Sequence, residues 1–451
     1  MTFPAPTGIL GPILERFRRP GIAGNVARGA AQTVVVTGLG AGIGFVMQFV
    51  LARVLGVDAY GVYLTALSWL TIGQIFGKFE LDTTAVRFVG SYSGAGEWGL
   101  LRGFLSTGRS VVLTACTSLG LLGAVAVFLM SDVISAKHPG LRDSLLVVCA
   151  MLPVMGWLLF ECAVLQGFQK YAYSQLPQNL IRPLGFAALV LVFGLQPGVT
   201  FTPSLALLLN MAGAIVALVV TVRWRKRMRP EQLRKAPRAF DKKTWQRTAL
   251  PLYAISVSQG VLSQQADILV VGMFLGVADA GIYGAASTLT LPLIMAATAI
   301  TFVAQPMIAE LYATAARERL QSLIRAVTWL TIAVVLPIGL VLTLAGSVLL
   351  GFFGPEFATG HAVLVVLTLS QLVVAIVGGP AGFLMTMTAH ERPAAWIIGL
   401  SALLYIALAF LLTPRFGAMG TASATLIATS VRALSLSTYV WRVMRLRVPS
   451  L

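Results

Sequence analysis

Long apolar stretches punctuated by short charged ones set the rhythm of this sequence. Arg28 and Arg53 bracket 24 uncharged residues, Asp58 and Lys78 bracket 19, and Arg109 and Asp132 bracket 22. About 20 predominantly apolar residues carry a helix across the hydrocarbon of a bilayer, so each window predicts one transmembrane span. A fourth span begins after Asp143 and carries Glu161 near its end. The 40 uncharged residues between Arg182 and Arg223 are too many for one helix, and the turn formers Gln196-Pro197-Gly198 and Thr202-Pro203 divide them into two. After Arg247 the rhythm resumes: Thr248 to about Gly276, carrying Asp267, then Gly281 to Ala304, Ala326 to Phe353, Ala362 to Thr388, Pro393 to Leu412 and Phe416 to about Trp441. The pattern predicts an all-α integral membrane protein of about twelve transmembrane helices. Its divisions are a tail over 1–28, six spans over 29–222, a basic linker over 223–247, six spans over 248–441 and a tail over 442–451.

Lysine and arginine follow this alternation. With the N-terminus inside, 27 of them fall on the cytoplasmic side and 4 (Arg53, Lys137, Arg142 and Arg415) outside, while Arg182 and Arg432 lie within spans. The positive-inside rule requires such an asymmetry, and a shift of the topology by one span would scramble it. Both termini and the linker are therefore expected in the cytoplasm.

Composition agrees with the spans and removes alternatives. The chain is 57% hydrophobic and 11% charged, against roughly 25% charged in soluble domains. A net charge of +17 would suit nucleic acid, but the charges punctuate apolar runs instead of forming a stripe, so no nucleic-acid partner is expected. Cys116, Cys149 and Cys162 lie in apolar stretches and read as inert buried thiols. His138, His361 and His390 stand far from one another and from any cysteine, so neither a metal nor another cofactor is expected. Gly38, Gly40, Gly42 and Gly44 do not have dinucleotide-binding spacing and read as close helix packing. No Walker-type phosphate loop appears, which excludes ATP as the internal drive.

The halves repeat. At an offset of 220 residues, Leu55-Gly56-Val57-Asp58-Ala59-Tyr60-Gly61-Val62-Tyr63 lies over Leu275-Gly276-Val277-Ala278-Asp279-Ala280-Gly281-Ile282-Tyr283, and Tyr92 and Leu100 lie over Tyr312 and Leu320. Each half starts inside and crosses six times, so the repeats are parallel about an axis along the membrane normal. The glycines suit a tight external turn, and the tyrosines are expected at the membrane interface.

This Leu-Gly-x-x-x-x-Gly-x-Tyr element, with Leu51-Ala52-Arg53-Val54-Leu55-Gly56 before it in one half and Asp267-Ile268-Leu269-Val270-Val271-Gly272 in the other, resembles the Wzx-type polysaccharide-biosynthesis flippases. These belong to the multidrug, oligosaccharidyl-lipid and polysaccharide exporter superfamily. The resemblance implies two six-helix bundles around a V-shaped central cavity. It also implies alternating-access flipping of undecaprenyl-pyrophosphate-linked oligosaccharide repeat units out of the cytoplasmic leaflet of a bacterial inner membrane. Membrane lipids, a polysaccharide polymerase and chain-length machinery would be its partners. Relatives have a cationic cavity, whereas the seventh span here has no arginine or lysine between Arg247 and its external turn.

Ionisable groups inside spans cost about 2.5–3.5 kcal/mol each to insert, so they face water or partners by default. Arg53, Arg182 and Arg432 are the candidate substrate cations, Arg53 at the external mouth and the other two nearer the cytoplasmic side; Arg53 as a snorkelling side chain is the plain alternative. Gln48, Gln259 and Gln264, with Gln74 and Gln265, suit either a polar cavity wall or interhelical hydrogen bonds. Glu161 and Asp267 are candidates for ion coupling, or else structural partners of arginines such as Arg182. Lys78, Glu80, Asp82 and Arg87 read as the solvated end of the second span. Two other functions stand beside the flippase: a cation-coupled multidrug antiporter of the same superfamily, and a membrane polysaccharide polymerase or ligase. The latter usually needs a large external loop, and the longest here is about Ser131 to Asp143.

Overall fold

The computed structural model describes residues 22–132, 134, 138–194, 200–313, 317–387 and 391–444. Most of the N-terminal tail, the C-terminal tail beyond 444, Lys137, His390 and the Gln196-Pro197-Gly198 turn lie outside them. The described residues are mostly helical, with no strand among them. Nine of the described helical stretches are long and apolar enough to cross a membrane. Two of these are folded pairs. Ile22–Lys78 reverses at Gly56, where φ is 77°, and Tyr60 consequently donates a hydrogen bond at 3.0 Å to Gln48 on the preceding span. Glu391–Tyr439 reverses at Gly417, bringing the Thr413 and Thr421 hydroxyls to 2.8 Å. The remaining span, seventh in chain order, is Lys242–Val261 continued by Gln264–Phe274, less apolar and interrupted between the two pieces.

In order the spans are 22–55, 57–78, Trp98–Leu129, Leu141–Gly167, 171–194 and Pro203–Met228, then 242–274, 277–313, Arg317–Leu344, 361–387, 391–416 and 418–444. The sixth and seventh helices extend into the basic linker, leaving residues 229–241 as a strap that contains one helical turn, Glu231–Lys235. Between the second and third spans the chain passes through two left-handed residues, Phe79 and Glu80, into the helix Leu81–Ala95, which buries Ala85, Phe88, Val89 and Tyr92. Lys78 pairs with Asp82 across that turn, and the Thr83 hydroxyl donates to Glu80 at 2.6 Å.

Gly56 and Gly276, equivalent under the 220-residue offset, adopt nearly the same backbone, with φ of 77° and 105° and ψ of 175° in both. Few side-chain-bearing residues tolerate that region. Both turns lie on the face opposite the strap, so the halves are parallel repeats.

The apolar core shows how the halves meet. On the side away from the strap one core runs through both, including Leu51, Tyr60 and Tyr63 with Tyr283, Phe353 and Phe357. On the strap side it divides into one cluster around Phe88, Phe104 and Trp245 and another around Ile324, Leu384 and Leu436. The bundles thus converge on one side and separate toward the other around a V-shaped cavity. Lipid-facing positions are bare and apolar, as at Leu121, Leu122, Val125 and Phe128 of the third span.

Candidate functional site

Lipid supplies no hydrophobic force between helices, so contact depends on close packing and on polar groups that satisfy one another. The repeated motif provides both. Its glycines cross: a Cβ on Gly61 would lie 1.7 Å from the Val277 carbonyl oxygen, and one on Gly281 would lie 2.8 Å from that of Val57. Each repeat therefore presses its glycine onto the other's backbone, sealing the side away from the strap. Phe49 and Phe353 pack above this crossing with centroids 4.1 Å apart and rings tilted by 41°, Tyr60 meets Phe357 at 5.7 Å, and the Arg53 Nε donates to the Phe352 carbonyl at 2.9 Å. Arg53 is exposed at this seam and joins the two halves there.

The motif tyrosines are not at the membrane interface. Tyr63 and Tyr283 are fully buried, because each hydroxyl finds a polar partner inside its own bundle. Tyr63 accepts from the Asn210 amide at 3.3 Å, and the Asn210 oxygen accepts from the Arg182 Nε at 3.0 Å. In the second half Tyr283 donates to Asp267 Oδ2 at 2.9 Å and Thr425 donates to Oδ1 at 2.9 Å. The Tyr405 hydroxyl, also buried, belongs to the same cluster. Equivalent tyrosines thus organise two interior polar clusters of opposite sign, one holding a guanidinium and the other a carboxylate.

Arg182 follows directly on a π-helical turn, Pro177–Ile181, the kind of widened turn that recurs at functional positions. The backbone of this turn is held against the first span, where a Cβ on Gly40 would meet the Asn179 carbonyl oxygen at 1.7 Å. Gly38, Gly42 and Gly44 face open space, so only one of the four glycines serves close packing. Arg182 and Arg432 both stand about midway along their spans and not nearer the strap side. Arg432 makes no ion pair with any described residue.

Glu161 pairs with Arg109 and Arg225 instead of Arg182. Arg109 Nε and Nη2 reach Oε1 at 2.8 and 2.7 Å, Trp157 Nε1 donates to the same oxygen at 2.9 Å, and Arg225 Nε lies 2.5 Å from Oε2. These partners come from the third, fourth and sixth spans of one bundle, on the strap side. Among the described residues Asp267 has hydroxyl donors only. Gln264 caps the interruption in the seventh span, donating to Thr290 Oγ1 at 3.0 Å and toward the Ser287 carbonyl at 3.4 Å, where the eighth span is also broken. Gln48 is engaged by Tyr60, and Gln259 is exposed. Sequence reasoning missed Asn210, Thr425 and Tyr405. Their signal was weak, since uncharged polar residues are common in membrane helices.

The sequence pattern described as polysaccharide biosynthesis protein matches residues 26–312. No curated protein matches the chain. Among solved structures, an inward-facing multidrug resistance MATE family transporter of the MOP superfamily superposes with a TM-score of 0.68 at 15% identity, covering 88% of this chain and 94% of that one. The lipid II flippase MurJ, in an inward closed conformation, gives 0.69 at 14% identity over 90% and 87%. The MATE multidrug transporter DinF-BH, solved as a complex, gives 0.62 at 14% over 94% and 96%. At these identities the likeness establishes the fold alone.

Proposed function

The chain belongs to the polysaccharide biosynthesis protein family, and from that premise we propose that it is a transporter. It flips undecaprenyl-pyrophosphate-linked oligosaccharide repeat units from the cytoplasmic to the outer leaflet of a bacterial inner membrane, by alternating access between its two bundles. The strap side is the cytoplasmic one in this reading, because 27 lysines and arginines fall on it against 4 on the other. Delivery to a polysaccharide polymerase and its chain-length machinery follows from the same reading.

The observation that carries the proposal is the pair of tyrosine-centred clusters of opposite sign. A diphosphate drawn from the headgroup region needs cations to replace its hydration, and guanidinium forks match its oxygens. Arg182 and Arg432, both without a carboxylate partner among the described residues, are assigned to that role, with Gln264 and Gln259 on the polar wall. Asp267, rather than Glu161, is assigned to ion coupling: it gathers hydroxyl oxygens and no arginine, an arrangement a proton or sodium ion would complete. Arg53 acts at the seam, and Gln48 supports the same end through Tyr60.

A cation-coupled multidrug antiporter is the second reading, favoured by the likeness to MATE transporters. Mass spectrometry of lipid-linked sugars in a deletion strain separates the two. The flippase reading expects undecaprenyl-linked repeat units to accumulate, with export restored by the wild-type chain but not by Arg182→Gln or Asp267→Asn at equal membrane abundance. Unchanged lipid-linked sugars together with heightened sensitivity to lipophilic cations would replace it with the antiporter.

A further inference from the structure

The strap 229–241 is fastened to the first bundle. Its Ala239 amide donates to the Gly99 carbonyl at 3.0 Å, its Ala239 carbonyl lies where a Cβ on Gly103 would be, and Trp245 just beyond donates to the Tyr92 hydroxyl at 3.0 Å. Under it four arginines collect, with Arg234 of the strap itself near Arg229. Arg102 Nη1 donates to the Ala236 and Arg234 carbonyls at 2.6 and 3.2 Å, and Arg229 Nη2 donates to the Leu233 carbonyl at 2.9 Å. Arg109 and Arg225 share Glu161.

Among the described residues Glu161 is the one carboxylate that pairs with any of these arginines, and it reaches two of them. The strap's own acid, Glu231, pairs outward with Lys235, both largely exposed, and Asp241 is occupied in accepting from the Thr244 amide at 3.2 Å. The Arg229 Nε is buried without a hydrogen-bond partner among the described residues, and an unsatisfied buried donor costs about 1–3 kcal/mol, more for a charged group. Like charges brought together on backbone carbonyls, with a donor left over, describe an anion site.

We infer that Arg102, Arg109, Arg225, Arg229 and Arg234 bind the phosphoryl headgroup of an anionic membrane lipid between the third span, the sixth span and the strap. By the charge pattern Arg102 and Arg109 precede the uncharged part of the third span and Arg225 follows that of the sixth, which places them toward the headgroup region. Guanidinium forks already oriented by carbonyls lose little freedom on meeting phosphate oxygens. Burial, and then repulsion from Arg102, Arg109 and Arg234, push the Arg229 pKa below its ordinary value, a tension that a bound phosphate would relieve. The site lies within one bundle, away from the tyrosine clusters, and does not depend on what the chain transports.

The test uses the full chain purified in neutral detergent, titrated with dioleoyl-phosphatidylglycerol or dioleoyl-phosphatidylcholine and read by native mass spectrometry. One phosphatidylglycerol should be retained at least about tenfold more tightly than phosphatidylcholine. Arg229→Gln should weaken it by about tenfold, as expected for one charge-assisted contact, and Arg229→Lys should weaken it less. Lys242→Gln with Lys243→Gln, which lowers the surface charge nearby, should leave retention unchanged. If Arg229→Gln does not accumulate, Arg234→Gln at an exposed position supplies the comparison. Equal retention of both lipids, or equal weakening by the lysine pair, would overturn the site in favour of diffuse attraction. Displacement of the lipid by equimolar inorganic pyrophosphate would overturn the lipid assignment and give the site to a soluble anion.

Discussion

Glu161 and Asp267 are both buried carboxylates inside spans, and their partners separate what they do. Glu161 touches two guanidinium groups and an indole, so its charge is compensated in place. Asp267 is held by two hydroxyls and, among the described residues, by no cation. Replacing Glu161 by Gln leaves Arg109 and Arg225 facing each other across a neutral amide, and breaking such a pair from one side costs about 3–5 kcal/mol when it is fully buried. Arg109 retains some exposure, so a loss nearer the low end, about 3 kcal/mol, is expected. Thermal unfolding of the purified chain should show it, and Glu161→Gln combined with Arg225→Gln should recover part of it. A Glu161→Gln chain of wild-type stability that has lost only its ion dependence would return Glu161 to the coupling role. The hydropathy windows placed both acids inside spans, because a charge stands out against an apolar run. The choice of partner was not legible, since it depends on which way each helix is rotated, and Arg225 and Arg109 lay in segments read as linker and as span boundary.

The turns were the most legible elements. Leu-Gly at 55–56 and 275–276 marked a positive-φ reversal in both halves, because glycine is cheap there and other residues are not. Hydropathy alone could not locate the interruptions inside spans. The π-helical turn Pro177–Ile181 and the breaks at 262–263 and Thr290 are made by uncharged residues that leave the average unchanged. Gly38, Gly40, Gly42 and Gly44 show the same limit: their spacing suggested a packing face, yet only Gly40 meets a neighbour, the Asn179 backbone of that π turn. Gly40→Ala should therefore displace the π turn that precedes Arg182, at an overpacking cost of about 1–3 kcal/mol. Gly42→Ala and Gly44→Ala should be neutral or slightly stabilising, since alanine is the better helix former. Membrane abundance and detergent melting of the three variants check this, and equal behaviour of all three would mean that the first span does not lie against the fifth.

At the scale of the whole molecule, the charge rule and the seam give two separate handles on the transport cycle. The charge rule puts the strap in the cytoplasm. In intact cells an impermeant thiol reagent should label Pro139→Cys, which is exposed on the opposite side, and spare Arg238→Cys, exposed on the strap; the reverse pattern would invert the orientation. The seam decides which way the cavity opens. Gly61 and Gly281 stand in equivalent positions of the two repeats and press on each other's backbones, so the contact is self-complementary and exists only while the bundles converge on that side. A methyl group at Gly61, aimed at the Val277 carbonyl from 1.7 Å, cannot be absorbed by a rotamer change because its neighbour is backbone. The bundles must part there, and about 1–3 kcal/mol of overpacking applied to one of two states shifts their ratio by about fivefold to a hundredfold. Thr65, one turn below Gly61 and buried in this state, reports the change. With the native cysteines replaced, Thr65→Cys should resist the reagent from outside in the parent chain and become labelled when Gly61→Ala or Gly281→Ala is added. Gly90→Ala, whose nearest neighbour is 3.7 Å away, should leave labelling as it was. Labelling that rises with Gly61→Ala but not with Gly281→Ala would show that the crossing is not the symmetric contact on which opening depends.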